Sequence, residues 1–217
     1  MKKAIFTLLI VWLLSNCLVL AEERYYQERT GEKTVQTRLS INHMNNLVTI
    51  EYVKQNELHN VICQSNYGTN VWTYKNTDEQ SNITLERVGD VIQAKGSLKD
   101  KYMQRTITID GSPWYQFVSV SLADFLDSPQ KATTFWTIQP SNLRAYKMSA
   151  KKYNPEFIEV HGEKIKAQHV KVSLTGILSV FWKVDYWFRC DDHVFVKFIG
   201  VNGAPGSPRT FIELASK

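Results

Sequence analysis

Alternation of apolar and polar residues, in one short run after another, governs this chain almost from end to end. A period of two sends successive side chains to opposite faces of an extended backbone, so the pattern commits the chain to strands. In the first half the runs are residues 34–42, 47–54, 58–65, 71–75, 82–88, 91–95, 102–109 and 114–120. Turn-forming breaks separate them, among them Asn66-Tyr67-Gly68, Gly89-Asp90 and Asp110-Gly111, the last a strong hairpin signal. The second half continues with 133–138, 143–152, 157–160, 165–174, 181–190, 194–199 and 210–214. One short helix is expected over 121–126: Ser121 stands in N-cap position, Asp124 follows three residues on, and Ser128-Pro129 stops it. About a dozen strands in meander order must curl or close to dispose of their edges. The expected fold is therefore all-β: a strongly curved antiparallel sheet, or incomplete barrel, closed by that helix.

The first 21 residues read as a secretory leader. Lys2 and Lys3 precede an apolar stretch at 5–14, and Val19-Leu20-Ala21 offers a small-residue cleavage site. Cleavage after Ala21 leaves a single domain, 22–217, in the periplasm. Leu14-Ser15-Asn16-Cys17 suggests the alternative of a lipoprotein anchored at Cys17, although Asn16 fits such a box poorly. The leader removes two of the 26 basic residues and none of the 21 acidic ones, so the remaining charge is mildly positive. Basic residues are scattered, and no nucleic-acid stripe emerges. Cys63 and Cys190 are the cysteines left, an even pair in an oxidising compartment, and one disulfide is expected. Two separate thiols are the alternative.

Catalytic signatures are missing. His43, His59, His161, His169 and His193 show no zinc-like spacing. Asp191-Asp192-His193 reads as a solvated turn, and the phase break at His169 reads as a β-bulge. No nucleophile elbow surrounds Ser112 or Ser119. Asp185 is expected to pair with Lys183 or Arg189 on its own strand. The expectation is a protein without catalytic residues, metal or cofactor.

What remains is an aromatic excess in the second half. Large aromatics at strand spacing usually form core. A pocket for an apolar ligand would draw on Trp114, Trp136, Trp182, Tyr186 and Trp187. Trp187 is the most telling of these, because it interrupts the polar face formed by Lys183, Asp185 and Arg189.

Phe135-Trp136 with Pro140, then 159–162, Ala167, 182–189 and the 203–208 loop, recur in that order in a family of exported bacterial proteins. Over roughly residues 110–215 the chain resembles that family, known only as a domain of unknown function. The resemblance implies a β-rich periplasmic domain and brings no catalytic residues. A looser similarity is to the half-barrels of lipoprotein carriers, which implies a lipid-like ligand. The resulting expectation is a non-enzymatic periplasmic binding or carrier protein for an apolar ligand. The alternative is an envelope assembly factor that holds another protein through sheet edges or exposed aromatics. A eukaryotic secretory origin would instead make Asn82-Ile83-Thr84 a glycosylation site.

Overall fold

A computed structural model describes residues 22–180, 182–201 and 207–215. The leader, its cleavage site and Cys17 lie outside the described residues, as does most of the 203–208 loop. Fifteen strands form one antiparallel sheet that curls without closing. The first eight are β1 (Glu22–Thr30), β2 (Lys33–Met44), β3 (Leu47–Lys54), β4 (Glu57–Gln64), β5 (Thr69–Asn76), β6 (Ser81–Val88), β7 (Val91–Leu98) and β8 (Lys101–Thr108). The others are β9 (Ala132–Ile138), β10 (Ala145–Lys152), β11 (Glu156–Val160), β12 (Glu163–Leu174), β13 (Lys183–Arg189), β14 (Phe195–Val201) and β15 (Arg209–Leu214). From β8 the sheet runs back in order to β1, crosses to β15, and continues through β14, β13, β12 and β10 to β9. β11 lies off this path and pairs with β12 alone, on the stretch of β12 beyond that taken by β10.

Most expected strands are present with shifted ends, and β3 has the expected bounds. β1 was not anticipated. Its inward residues are Tyr26 and Glu28, and the buried carboxylate disguises the alternation.

The Asp110-Gly111 hairpin is a correction. Asp110 accepts hydrogen bonds from the Ser112 amide (2.9 Å) and the Trp136 indole (2.8 Å), and it pairs with Lys147. These bonds turn the chain away from β8, so 114–120 is not a strand. The segment instead crosses one end of the sheet. The Trp114 carbonyl accepts from the Thr69 amide (2.8 Å), and Trp114 and Trp136 join in an isolated parallel bridge. The seam thus ties the first half of the sheet to β9.

Two contiguous helical turns follow and plug that end: α1 (Val118–Ser121) and α2 (Ala123–Asp127). Ser121 is not a cap, because α1 already holds it in helical conformation. Leu122 stands at the N-terminus of α2, and Phe125 and Leu126 face the core as expected. Lys152 secures the plug by donating to the carbonyls of Phe125 (2.9 Å) and Ser128 (2.6 Å).

One hydrophobic cluster fills the concave side, with Trp72, Trp114, Phe135 and Phe188 among its fully buried members. A smaller one, Val160, Ala167, Val194 and Val196, seals the β11–β12 hairpin against the outer face of the sheet. That second cluster explains the phase break in β12. Ile165 and Ala167 face outward under the hairpin, whereas Val170 and Val172 face inward. The β12–β13 register runs through His169 without interruption, so the expected bulge is absent there. Bulges occur at Ile62/Cys63 and at Trp187/Phe188.

The cysteines are a further correction. Cys63 is buried on β4 and Cys190 follows β13, and both are free thiols. Five strands separate β4 from β13 in the sheet. The two cysteines therefore sit on strands that are not neighbours, and a disulfide would need their Cα atoms within about 7 Å.

Candidate functional site

The five expected ligand-binding residues do not converge on one pocket. Trp114 is fully buried at the seam, its indole donating to the Gln116 side chain (2.9 Å). Trp136 and Trp182 are partly buried against the core, and Trp182 donates to the Val201 carbonyl (3.1 Å). Tyr186 packs among Phe188, Phe195 and Phe198, and burial pushes its hydroxyl pKa far upward. Trp187 points the other way, onto the outer face.

Toward the Lys54–Glu57 turn, the inner face becomes polar. Glu28, on β1, is 4% exposed and pairs with Lys54 of β3 at 2.7 Å. Tyr52, one inward step along β3 from Lys54, lies beside them. Burial raises the Tyr52 hydroxyl pKa strongly, and the charges of Glu28 and Glu57 raise it further. His59 completes the group from β4. Its ring stacks on Trp72 at 5.8 Å and lies against Tyr74 and Phe117. The Trp72 indole donates to His59 Nδ1 at 3.2 Å, and His59 Nε2 faces Glu57 at 3.7 Å. The His59 ring beside it holds the Glu57 carboxyl below its ordinary pKa, against the opposing effect of burial.

A second histidine cluster occupies the outer face. His169 of β12 is stacked between Trp187 (4.8 Å) and Tyr153 (5.1 Å). Its Nε2 donates to Asp185 at 2.7 Å, and its Nδ1 lies 3.8 Å from Glu156. The Trp187 indole donates to that same Glu156 carboxylate at 2.7 Å. Asp185 therefore takes its partners across the strand pair, from His169 and from Lys171 (3.6 Å), and not from Lys183 or Arg189. Arg189 turns instead to Asp191 and Asp192.

A shallow cleft of about 430 Å³ lies beside the tip of the β11–β12 hairpin, between His161 and the Gln27, Thr34 and Gln36 side chains.

Chemically, both ring nitrogens of His59 and of His169 already face partners, and neither cluster includes a serine or cysteine nucleophile. Among the described residues no His, Cys, Asp and Glu side chains assemble into a metal-holding group. Sequence reasoning missed the inner cluster because it depends on register. Only with β1 to β4 aligned do Glu28, Lys54 and His59 meet at one end. The signal that could have found them is the inward parity of each strand turning from apolar to charged toward its end.

No family model matches the chain, and no curated protein does. Among solved structures it is similar to a beta-barrel-like protein of the domain of unknown function DUF1849 from Brucella abortus. The TM-score is 0.63 at 9% identity, over 92% of this chain and 97% of that one. The hypothetical lipoprotein YmcC from Escherichia coli (K12) aligns at TM-score 0.43 and 9% identity, covering 100% and 98%, a score too low to speak for a shared fold. The likeness to a bacterial β-rich domain of unknown function is thereby met at the level of fold.

Proposed function

We propose that this is an exported, non-enzymatic envelope protein that works by holding another protein against its outer surface. The observation that carries the reading is the filled interior of the curled sheet. Trp72, Trp114, Phe135 and Phe188 occupy the concave side. A lipid-like ligand enclosed by the sheet would have to take their space, which weakens the carrier alternative. Outside, Ile177 is 89% exposed, Tyr102 67% and Phe157 63%. Single apolar groups in water are ordinary on a protein surface, so the reading rests on the filled interior, and these three groups serve as sites for probing contact. The leader pattern in residues 1–21 supports export.

The test places a photo-crosslinking amino acid at Tyr102, Phe157 or Ile177 in the native host and pairs it with native mass spectrometry of the gently purified protein. A discrete protein adduct from at least one site, with no stoichiometric lipid bound, is expected. Stoichiometric acyl-chain ligand and no adduct from any site would return the assignment to a carrier.

A further inference from the structure

The strands at the two ends of the sheet path, β9 and β8, are treated differently. β9 is stitched to the seam: the Trp136 amide donates to Pro113, and the Tyr115 amide donates to Trp136, both at 2.8 Å. β8 ends the sheet, and among the described residues no backbone hydrogen bond reaches its outer side. A two-residue turn, Lys99 and Asp100 with φ of 52° and 61°, joins it to β7 and makes Leu98 and Lys101 a hydrogen-bonded pair. The ladder alternates from there, so Tyr102, Gln104, Thr106 and Thr108 direct their amides and carbonyls to the open side.

Charge is concentrated on the same hairpin. Residues 91–108 hold Lys95, Lys99, Lys101 and Arg105 against the single acid Asp100. That surplus of three equals the surplus of the whole chain beyond the leader, 24 basic against 21 acidic, so the remainder balances. All four bases are exposed, and among the described residues none enters an ion pair. Elsewhere among the described residues seven bases are in ion pairs, among them Arg38, Lys54 and Lys147, and others such as Lys75, Lys131 and Lys166 are not, so it is the local surplus of charge that sets this hairpin apart. Lys101 and Arg105 share one face of β8 with Met103 and Ile107, while Tyr102 stands exposed on the other.

We propose that the β8 edge is a docking strand for an extended, acidic segment of a partner protein, added as a sixteenth strand. The inference rests on the surface-binding reading above and names where and how that binding occurs. The open amides and carbonyls supply affinity, as in other strand additions. Carboxylates four residues apart on the partner lie opposite Lys101 and Arg105, and a large apolar residue between them on the other face covers Tyr102. Edge charge alone is also how sheets avoid pairing with copies of themselves. Here it does both: it repels a second β8 and attracts an acidic strand.

The probe is a synthetic, end-capped peptide that alternates Val and Thr with Glu at every fourth position, set against the same peptide with Lys for Glu. Binding is read by fluorescence anisotropy and by amide hydrogen exchange on the mature chain. The acidic peptide is expected to protect the amides of Tyr102, Gln104, Thr106 and Thr108, and the Lys peptide is not. Lys101→Glu with Arg105→Glu should weaken binding about tenfold or more at low salt. Thr106→Pro, which removes an amide that β7 does not use, should abolish edge protection while far-UV circular dichroism stays native. Absence of protection with both peptides overturns the proposal and leaves the four bases as guards of the edge. Binding that Thr106→Pro leaves intact, or that phosphatidylglycerol vesicles reproduce, overturns it in favour of a purely anionic surface. Partner adducts formed from Phe157 or Ile177 but not from Tyr102 would sink this docking site and leave the surface-binding function standing.

Discussion

His59 and His169 are both strand histidines pressed between aromatic rings beside a carboxylate, yet one lies inside the curled sheet and the other outside. His59 accepts from an indole whose side chain is fully buried, and its ring belongs to the packed core. His169 gives its ring nitrogens to two carboxylates on neighbouring strands, where water competes for every bond. The same residue type therefore acts as a core polar group in one place and as a surface clasp in the other. Register decides which, because one step along a strand moves a side chain from one face to the other.

The sharpest separation should come from the rings that flank the two histidines. Trp72→Ala removes a fully buried indole and is expected to cost about 3–5 kcal/mol, whereas Trp187→Ala on the outer face should cost far less. Urea denaturation of the two variants measures the difference, and equal losses would erase the inside–outside distinction. Next in size is His59→Leu, which leaves the Trp72 indole N–H without its acceptor and should cost about 1–3 kcal/mol.

Acid should then affect the inner cluster in a defined direction. The Glu57 carboxyl is held below its ordinary value, first by the His59 ring beside it, so the stability it adds is present above the unfolded value of about 4.3. That stability is lost as pH falls through the lower, folded value. Melting temperature measured from pH 7 down to pH 3 should fall more steeply for the native chain than for Glu57→Gln. Parallel curves would show that Glu57 does not sense His59. The smallest effect belongs to the outer clasp. Asp185→Asn should change stability by no more than about 1 kcal/mol, and less still in high salt, as for other partly exposed ion pairs.

Much of the fold was legible in the alternation, and the misses have specific causes. β1 escaped because Glu28 occupies an inward position, and a buried acid is visible as such only when Lys54 is brought beside it by β2 and β3. Asp110-Gly111 carries the local chemistry of a hairpin. Its carboxylate, however, is taken by Trp136 and Lys147, partners that the chain reaches only after the helical plug. The disulfide failed because parity of cysteine number says nothing about distance across a sheet. Of the candidate ligand residues, Trp187 is the one that packs on the outer face, against the β11–β12 hairpin. Why it interrupts a polar face is not legible in the sequence, because the hairpin that covers that face is a tertiary event. The bases of β7 and β8 are scattered along the sequence, and they become a group only where the sheet stops.

The pairing of Tyr26 with Leu214 sets the order in which this molecule can be completed. Its first and last described strands are neighbours in the middle of the sheet, so the hydrogen-bonded ladder becomes continuous only when the final strand arrives. A chain that emerges from a ribosome or a translocation pore with its N-terminus leading must carry β1 with one bare edge for nearly its whole length. Closing so long a loop slows folding and prolongs the exposure of unmatched backbone. Truncation before β15 would therefore do more than shorten the sheet: it would leave two half-sheets held together by the seam at Trp114, each with a sticky flank.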